Sequence, residues 1–258
     1  AVNKIEKDGF LRISPVGNVS YLASVFQRVC FADGTEGVLS MNGSNSVGLH
    51  REFKDEDMTF ENAYVDIYAG TKENALKKVQ IGDYCTFEGE YQEVLQDRVI
   101  SKALDNRSGC CAALMILQEI ANKKPYYDTY FAFTVLGKAN KLGAKTISDV
   151  VQPDFVITIE TAVAGDYLEA KTSSEIKLGE GPVIKCMDAT THVMPNVIKM
   201  MKNIAAKSHI SIQAEVKRED DNELGIIYMS NAGVLGGSVM IPIRYAHSAN
   251  EMISLKDL

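Results

Sequence analysis

Three ionisable side chains stand at the ends of predicted helices and strands, where a catalytic or binding site could form. Asp105 lies just before a predicted helix, Glu160 ends an apolar strand, and His247 follows a strand-like run. Open α/β sheets bind ligands beyond the carboxyl ends of their strands. Carboxylates and an imidazole at such an edge could hold a divalent cation or move a proton. From spacing alone, the ordinary explanation is favoured: a helix-capping Asp, a Glu at a strand end and an exposed His.

The sequence contains few histidines and cysteines, the side chains that most often bind transition metals. The chain of 258 residues contains four histidines and five cysteines, and no CxxC spacing occurs. A histidine-rich metal site is therefore excluded, and any metal must be held mainly by carboxylates. The odd cysteine count favours free thiols in a reducing compartment, so we expect a cytoplasmic protein.

The charge balance limits the classes of partner. The 27 basic residues are outnumbered by 34 acidic residues, which gives a net charge of -7. This excess of acid argues against a broad nucleic-acid surface. No apolar run approaches the ~20 residues that a membrane span needs, and no signal peptide is visible. We therefore expect neither a nucleic-acid nor a membrane partner.

The periodicity of apolar residues changes near residue 100. Before it, short alternating runs separated by glycine turns are typical of a small β-barrel or sandwich. After it, helical stripes alternate with apolar strands, which predicts an α/β domain with a sheet covered on both faces. The predicted strands are 9–14, 25–31, 63–68, 85–92, 130–136, 155–161, 211–216 and 234–241, and the predicted helices are 71–78, 105–123, 140–151 and one that opens at Pro195.

Several motifs carry a resemblance to one enzyme family. Residues 101–110 read SKALDNRSGC, which resembles the GKALDDRxGC motif of the TET-type metalloaminopeptidases. Further matches lie in the correct order over nearly the whole chain, at 5–12, 37–39, 64–67, 133–135, 142–145, 164–166, 177–182 and 244–248. The chain thus resembles a degenerate, shortened member of metallopeptidase family forty-two, which includes glutamyl and deblocking aminopeptidases and endoglucanase M-like proteins.

The resemblance implies an architecture as well as an activity. It implies an incomplete zinc-peptidase-like α/β domain with an inserted small β-barrel dimerisation domain. Residues 1–7 would be a strand of the α/β domain, 8–96 the barrel, and 97–258 the peptidase-like domain. Self-association through the barrel is expected, with peptides as a further candidate partner.

The family's catalytic centre is only partly present. Its members use two zinc or cobalt ions, bridged by an aspartate, and a glutamate as general base. The resemblance places Asp105 at the bridging position, His247 at the last histidine, and Glu160 where the family has aspartate. The base position carries Gly137, and a metal-binding glutamate is replaced by Lys138. Another residue that binds metal in the family would lie before residue 1 of this sequence.

Two loop residues are further candidates. The resemblance places Asp188 and His192 in a loop whose counterpart lines the substrate cleft. The Lys138 amine is expected to lie close to Asp105, where it would partly replace the charge of a metal.

Two functions remain open. The first is a catalytically impaired or inactive homologue that keeps the scaffold and self-association and binds no metal tightly. The alternative is an active metal-dependent aminopeptidase that releases N-terminal residues from peptides through a rearranged zinc or cobalt site. Losing a general base typically costs a factor of about 10²–10⁴ in rate, which favours the first function.

Overall fold

The chain forms two compact units. The computed structural model describes residues 1–42, 59–123, 125–168, 174–219 and 221–258. The first unit contains residues 1–90 and 247–250, and the second contains residues 91–246 and 251–258.

The first unit is built on one curled antiparallel sheet. Its six strands follow the order β1-β2-β5-β4-β3-β6. The edge strand β1 also bonds to the chain that leads into β6, because Val2 N–H donates to Asp83 O (2.9 Å) and Gly82 N–H donates to Val2 O (2.8 Å). The elements are β1 (Val2–Ile5), β2 (Leu11–Ile13), α1 (Tyr21–Ser24), β3 (Arg28–Phe31), β4 (Glu36–Met41), β5 (Ala63–Asp66), α2 (Lys72–Leu76) and β6 (Cys85–Phe87).

Alternation of side chains explains the core of this unit. Successive residues of a strand face opposite sides, so every second residue is buried, as at Leu11 and Ile13 of β2 and at Ala63 and Val65 of β5. The inward residues form one apolar cluster, which Ala75 of α2 joins. The short strands predicted for this part of the chain are thus present.

The division into domains differs from the one expected. Residues 1–7 were expected to be a strand of the α/β domain, but β1 pairs with β2 within the curled sheet. The expected barrel ran over 8–96, whereas the first unit ends its main segment at Glu90. Residues 43–58 of that range lie outside the described residues.

The second unit is a mixed α/β structure. Its four-stranded sheet has the order β11-β10-β12-β9, and a smaller sheet has the order β13-β8-β7. The mixed α/β fold class predicted from the sequence is confirmed. The elements are β7 (Gln92–Val94), β8 (Arg98–Ser101), α3 (Leu104–Ala121), α4 (Leu142–Val151), β9 (Phe155–Val163), β10 (Val183–Met187), α5 (Pro195–Lys207), β11 (Gln213–Val216), α6 (Glu223–Tyr228), β12 (Leu235–Ile243) and β13 (Glu251–Ser254).

Strands β9 and β12 form the longest pairing in this unit. They run parallel over nine residue pairs. Helix α5 packs on the sheet through Val197, Met201 and Ala205, which recur at the spacing of one helix face. The helix lies so close that a Cβ built on Gly237 would be 2.7 Å from Met201 Sδ. Within the described part of the chain, no helix is long and apolar enough to cross a membrane.

One predicted strand is absent. Residues 130–136 alternate like a strand, but they pair with no strand among the described residues. Instead Val135 O accepts a hydrogen bond from Gly143 N–H (3.2 Å), so this segment folds back on the start of α4. A Cβ on Gly143 would lie 2.2 Å from that oxygen, so this contact requires glycine. The turn between them carries Gly137 and Lys138.

Candidate functional site

The start of helix α3 holds Asp105 against two strands. Asp105 N–H donates to Glu251 Oε2 (2.9 Å) on β13. Asn106 Nδ2 donates to Ile159 O (2.7 Å) on β9. These bonds fix the backbone around Asp105 and place its neighbour against the residue that precedes Glu160. The Asp105 side chain is 9% exposed.

A lysine ammonium lies against the Asp105 carboxylate. Lys138 Nζ is 2.5 Å from Asp105 Oδ2, so the contact predicted from the sequence is confirmed. The Lys138 side chain is 51% exposed, and an ion pair so open to water contributes only ~0–1 kcal/mol to stability. Its main effect is therefore local, because it places a positive charge beside the carboxylate that the resemblance assigns to the metal-bridging position.

Glu160 sits on β9 in a poorly solvated place. Its Oε1 accepts a hydrogen bond from Glu223 N–H (2.9 Å). Burial and, to a smaller extent, the negative charge of Glu223 raise the pKa of Glu160, while the backbone hydrogen bond and the nearby Lys141 and Lys185 oppose this shift. The resulting pKa is about 7. Near neutral pH, Glu160 is therefore divided between its neutral and charged forms.

The carboxylate of Glu223 lies beside Gly137, which the resemblance places at the position of the family's general base. A Cβ built on Gly137 would lie 3.4 Å from Glu223 Oε1, which is the one neighbouring atom within 4 Å among those described. The same oxygen accepts a hydrogen bond from Thr134 Oγ1 (3.1 Å). The space that a side chain at 137 would enter is thus bounded by a carboxylate from helix α6.

Sequence reasoning assigned no functional role to Glu223. Asn222 accepts a hydrogen bond from Leu224 N–H (2.7 Å) and so caps the start of α6, and an acidic residue follows directly. That pattern marks a helix start, but it does not show what the helix faces.

A second lysine of the same turn is also paired. Lys141 Nζ contacts Asp221 Oδ2, just before α6. The turn that carries Gly137 therefore brings Lys138 to α3 and Lys141 to the chain before α6. Two ammonium groups and no carboxylate come from this turn, to which the resemblance assigns two adjacent glutamates.

The cleft assignment of Asp188 requires correction. Asp188 is 1% exposed, and its Oδ1 accepts bonds from the backbone N–H groups of Thr190 (2.9 Å) and Thr191 (2.8 Å). Its Oδ2 accepts from Asn222 Nδ2 (2.9 Å) and lies 3.7 Å from Lys185 Nζ. Because these neighbours occupy the carboxylate, Asp188 holds the loop and the start of α6 rather than facing a ligand.

The other two candidates stay predictions. His192 is exposed and forms an isolated bridge with Met187. His247 lies between β12 and β13 with a φ of 65°, in a short stretch that belongs to the first unit. Its assignment as a ligand continues to rest on the resemblance.

The residues present do not fit a dinuclear metal centre. Such a centre needs several carboxylate and imidazole ligands that converge on two cations. Across the described ranges, no group of three or more His, Cys, Asp or Glu side chains is arranged to hold a metal. At the bridging position Asp105 already contacts the Lys138 ammonium, which would repel a dication.

Comparison with known proteins identifies the family. The profile of the M42 glutamyl aminopeptidases matches residues 1–258. An inferred aminopeptidase of Acetivibrio thermocellus is 38% identical over 261 residues, which cover 100% of this chain and 74% of that protein. The lysyl aminopeptidase of Pyrococcus furiosus is 26% identical over 100% of this chain and 74% of its own length.

Solved structures agree with this relationship. An aminopeptidase from Desulfurococcus kamchatkensis has a TM-score of 0.91 at 30% identity, covering 99% of this chain and 72% of its own. The TET1 peptidase of Pyrococcus horikoshii, which can assemble into a tetrahedron or a large octahedral shell, has a TM-score of 0.85 at 24% identity. The match covers 99% of this chain and 75% of the TET1 chain. The chain therefore belongs to the M42 family of glutamyl aminopeptidases.

Proposed function

We propose that this chain is an aminopeptidase homologue that has lost metal-dependent hydrolysis and keeps its scaffold and its ability to self-associate. The contact between Lys138 Nζ and Asp105 Oδ2 carries the proposal. An ammonium at a bridging carboxylate supplies positive charge from within the chain. It does so without the Lewis acidity that a metal provides.

The base position supports the same conclusion. Gly137 has no side chain, so it cannot take a proton from water in the way that the family's glutamate does. Lys138 follows directly, so both members of the family's glutamate pair are changed. Catalysis by the family's route would therefore lack its base and one of its ligands.

A hydrolysis assay tests the loss of activity. The purified chain is incubated with aminoacyl p-nitroanilides of acidic, basic and apolar residues, with added zinc or cobalt and with a chelator. We expect no hydrolysis that the chelator abolishes. Chelator-sensitive release of p-nitroaniline at a rate typical of enzymes, roughly 1–10³ s⁻¹, would contradict the proposal.

One observation favours the alternative of a working, rearranged site. The carboxylate of Glu223, to which the resemblance assigned no role, lies beside Gly137. In this alternative, Glu223 would add a carboxylate to Asp105 and Glu160 as a ligand for zinc or cobalt. The same assay separates the two functions, because this alternative requires chelator-sensitive activity.

The proposal also includes self-association of the chain and its location in the cell. The TET1 peptidase of Pyrococcus horikoshii assembles into closed shells, and we propose that this chain also associates, through its first unit. All five cysteines are free, which supports a location in the reducing cytoplasm. Peptides are the ligands that the retained scaffold would be expected to take.

A further inference from the structure

We propose that the four-stranded sheet of the second unit binds ordered water at a buried row of polar side chains. The row takes one residue from each strand, and we call it the polar row: Thr158 on β9, Ser238 on β12, Lys185 on β10 and Glu215 on β11. The inference goes beyond the proposed function, which concerns the position of the metal and the loss of hydrolysis.

The strand register brings the polar row to one level of the sheet. Ser238 pairs directly with Thr158, and Lys185 pairs directly with Glu215. Directly paired residues of neighbouring strands point to the same face of a sheet. Each pair therefore places its two polar side chains side by side on one face.

The central strands join these two pairs. Ile184 of β10 lies opposite Val239 of β12, and the two strands run antiparallel. The next step of this ladder brings Lys185 level with Ser238. The four side chains therefore form a continuous line across the sheet.

The polar row is cut off from solvent and short of partners. Thr158, Ser238, Lys185 and Glu215 are 5%, 0%, 2% and 6% exposed. Within the described residues, Thr158 Oγ1, Ser238 Oγ and Glu215 Oε1 are buried and have no hydrogen-bond partner. A buried polar atom without a partner is costly, so such atoms are normally bonded to protein or to ordered water. Three of them at one level of one sheet point to a bound polar ligand.

The charges of the row favour a neutral ligand. Lys185 Nζ lies 2.5 Å from Glu215 Oε2 and 3.7 Å from Asp188 Oδ2, so one ammonium faces two carboxylates. The ammonium would repel a cation and the carboxylates would repel an anion, and burying either ion would also cost its hydration. A neutral molecule that both donates and accepts hydrogen bonds avoids these penalties.

The size of the side chains favours a small ligand. Two residues further along the same face, Met240 pairs with Glu160. Thr158 and Ser238 are shorter, so their level of the sheet holds less side-chain volume. A water molecule occupies about 30 Å³ and needs two to four polar partners. The two hydroxyls both donate and accept, and the Lys185 ammonium donates, so together they supply three partners.

The bound water has a structural role. One molecule bridges Thr158 Oγ1 and Ser238 Oγ and accepts a hydrogen bond from Lys185 Nζ, while a second donates to Glu215 Oε1 at the β11 end of the row. The first molecule thereby links the buried ion pair of β10 and β11 to the neighbouring strands. It also satisfies two hydroxyls that would otherwise destabilise the sheet.

The first experiment locates the ligand directly. The chain is crystallised, and a second crystal is soaked in sodium bromide. We expect a density peak about 2.5–3.0 Å from both Thr158 Oγ1 and Ser238 Oγ, without an anomalous bromide signal. A bromide signal at this place would show that the row binds an anion rather than water. No peak would show that the hydroxyls have other partners, and either result would overturn the inference.

The second experiment measures the bridge by thermal unfolding. Thr158→Val and Ser238→Ala each replace a hydroxyl by an apolar group of similar shape, and the two are also combined. We expect each single change to lower the melting temperature by about 2–4 °C. The double variant should melt no lower than the less stable single variant. The reason is that the first change removes the bridging water, and the second removes a hydroxyl that this loss leaves without a partner.

A matched control and two contrary results complete this test. Thr146 is exposed on α4 and its Oγ1 donates to Leu142 O (2.9 Å), so Thr146→Val should shift the melting temperature by less than about 1 °C. A single variant in the row as stable as the wild type, or more stable, would overturn the inference, because that is expected of a buried hydroxyl with nothing bound to it. A double variant whose loss equals the sum of the single losses would also overturn it, because the hydroxyls would then have separate partners.

Discussion

The Nζ atom of Lys138 lies 2.5 Å from Oδ2 of Asp105. The resemblance to the family places Asp105 at the position of an aspartate that bridges two metal ions. The pair therefore puts a monovalent cation, covalently part of the protein, beside the carboxylate that the resemblance assigns to metal binding.

Reversing the charge at Lys138 should restore metal binding. We expect Lys138→Glu to raise the affinity for zinc by at least about tenfold, because it removes the repulsive ammonium and adds a carboxylate beside Asp105. Isothermal titration calorimetry measures the change. Lys145→Glu is the matched control, since Lys145 lies on α4 and pairs with Asp149 rather than with Asp105. An equal gain in both variants would show that only net charge matters.

From the sequence alone, Lys138→Glu is not expected to restore peptidase activity, because Gly137 supplies no base. Hydrolysis of aminoacyl p-nitroanilides by metal-loaded Lys138→Glu would contradict this expectation and would show that the general base does not belong at position 137.

Glu160 should make stability depend on pH. Burial raises the pKa of Glu160 to about 7 from 4.5, so the folded state binds more protons than the unfolded state between these values. Stability should therefore fall as pH rises from about 4.5 to about 7, by up to about 3 kcal/mol, and then level off. Urea unfolding of wild type and Glu160→Gln over this range measures the effect.

The Glu160→Gln variant removes the titrating group and should remove this part of the pH dependence. Asp149→Asn, on the exposed side of α4, is the control and should leave it unchanged. Identical pH profiles for wild type and Glu160→Gln would show that Glu160 titrates normally in the folded state.

The buried Lys185 should be essential for stability. Lys185 Nζ lies 2.5 Å from Glu215 Oε2 and 3.7 Å from Asp188 Oδ2, and all three residues are buried. Lys185→Met leaves two buried carboxylates without their cation, and we expect a loss of about 3–5 kcal/mol in the free energy of unfolding. Adding Glu215→Met should recover part of this loss, and a further loss would argue against the pairing.

Self-association should depend on the first unit. Leu22 and Phe26 are 71% and 60% exposed there, at and just after helix α1. We expect light scattering to report a dimer or larger assembly, and Leu22→Glu with Phe26→Glu to shift it to smaller species. Leu95→Glu changes a leucine of the second unit that is 87% exposed, and it should not shift the assembly. A wild-type monomer at high concentration would contradict this prediction.

The sequence predicted features that depend on local pattern. Strand β9 is an apolar run, and its position followed from that run alone. The Lys138–Asp105 pair could be predicted because the family resemblance brings the two positions together and their charges attract. In both cases the needed information lies in short segments or in a motif.

Features that depend on distant partners could not be predicted. Residues 130–136 have the alternation of a strand, but alternation does not show whether another strand is available to pair, and here Val135 bonds to Gly143 instead. Glu223 meets Thr134 across 89 residues of sequence. Asp188 was misread because a polar loop residue gives no sign that buried amides occupy its carboxylate.

The metal content of the wild-type chain tests the central claim most directly. The purified chain is saturated with zinc or cobalt, freed of unbound ions and analysed for metal per protein, with Lys138→Glu treated in parallel. The account predicts well under one ion per wild-type chain and more in Lys138→Glu. Near two ions per wild-type chain would contradict it, because Asp105 would then bridge metals despite Lys138.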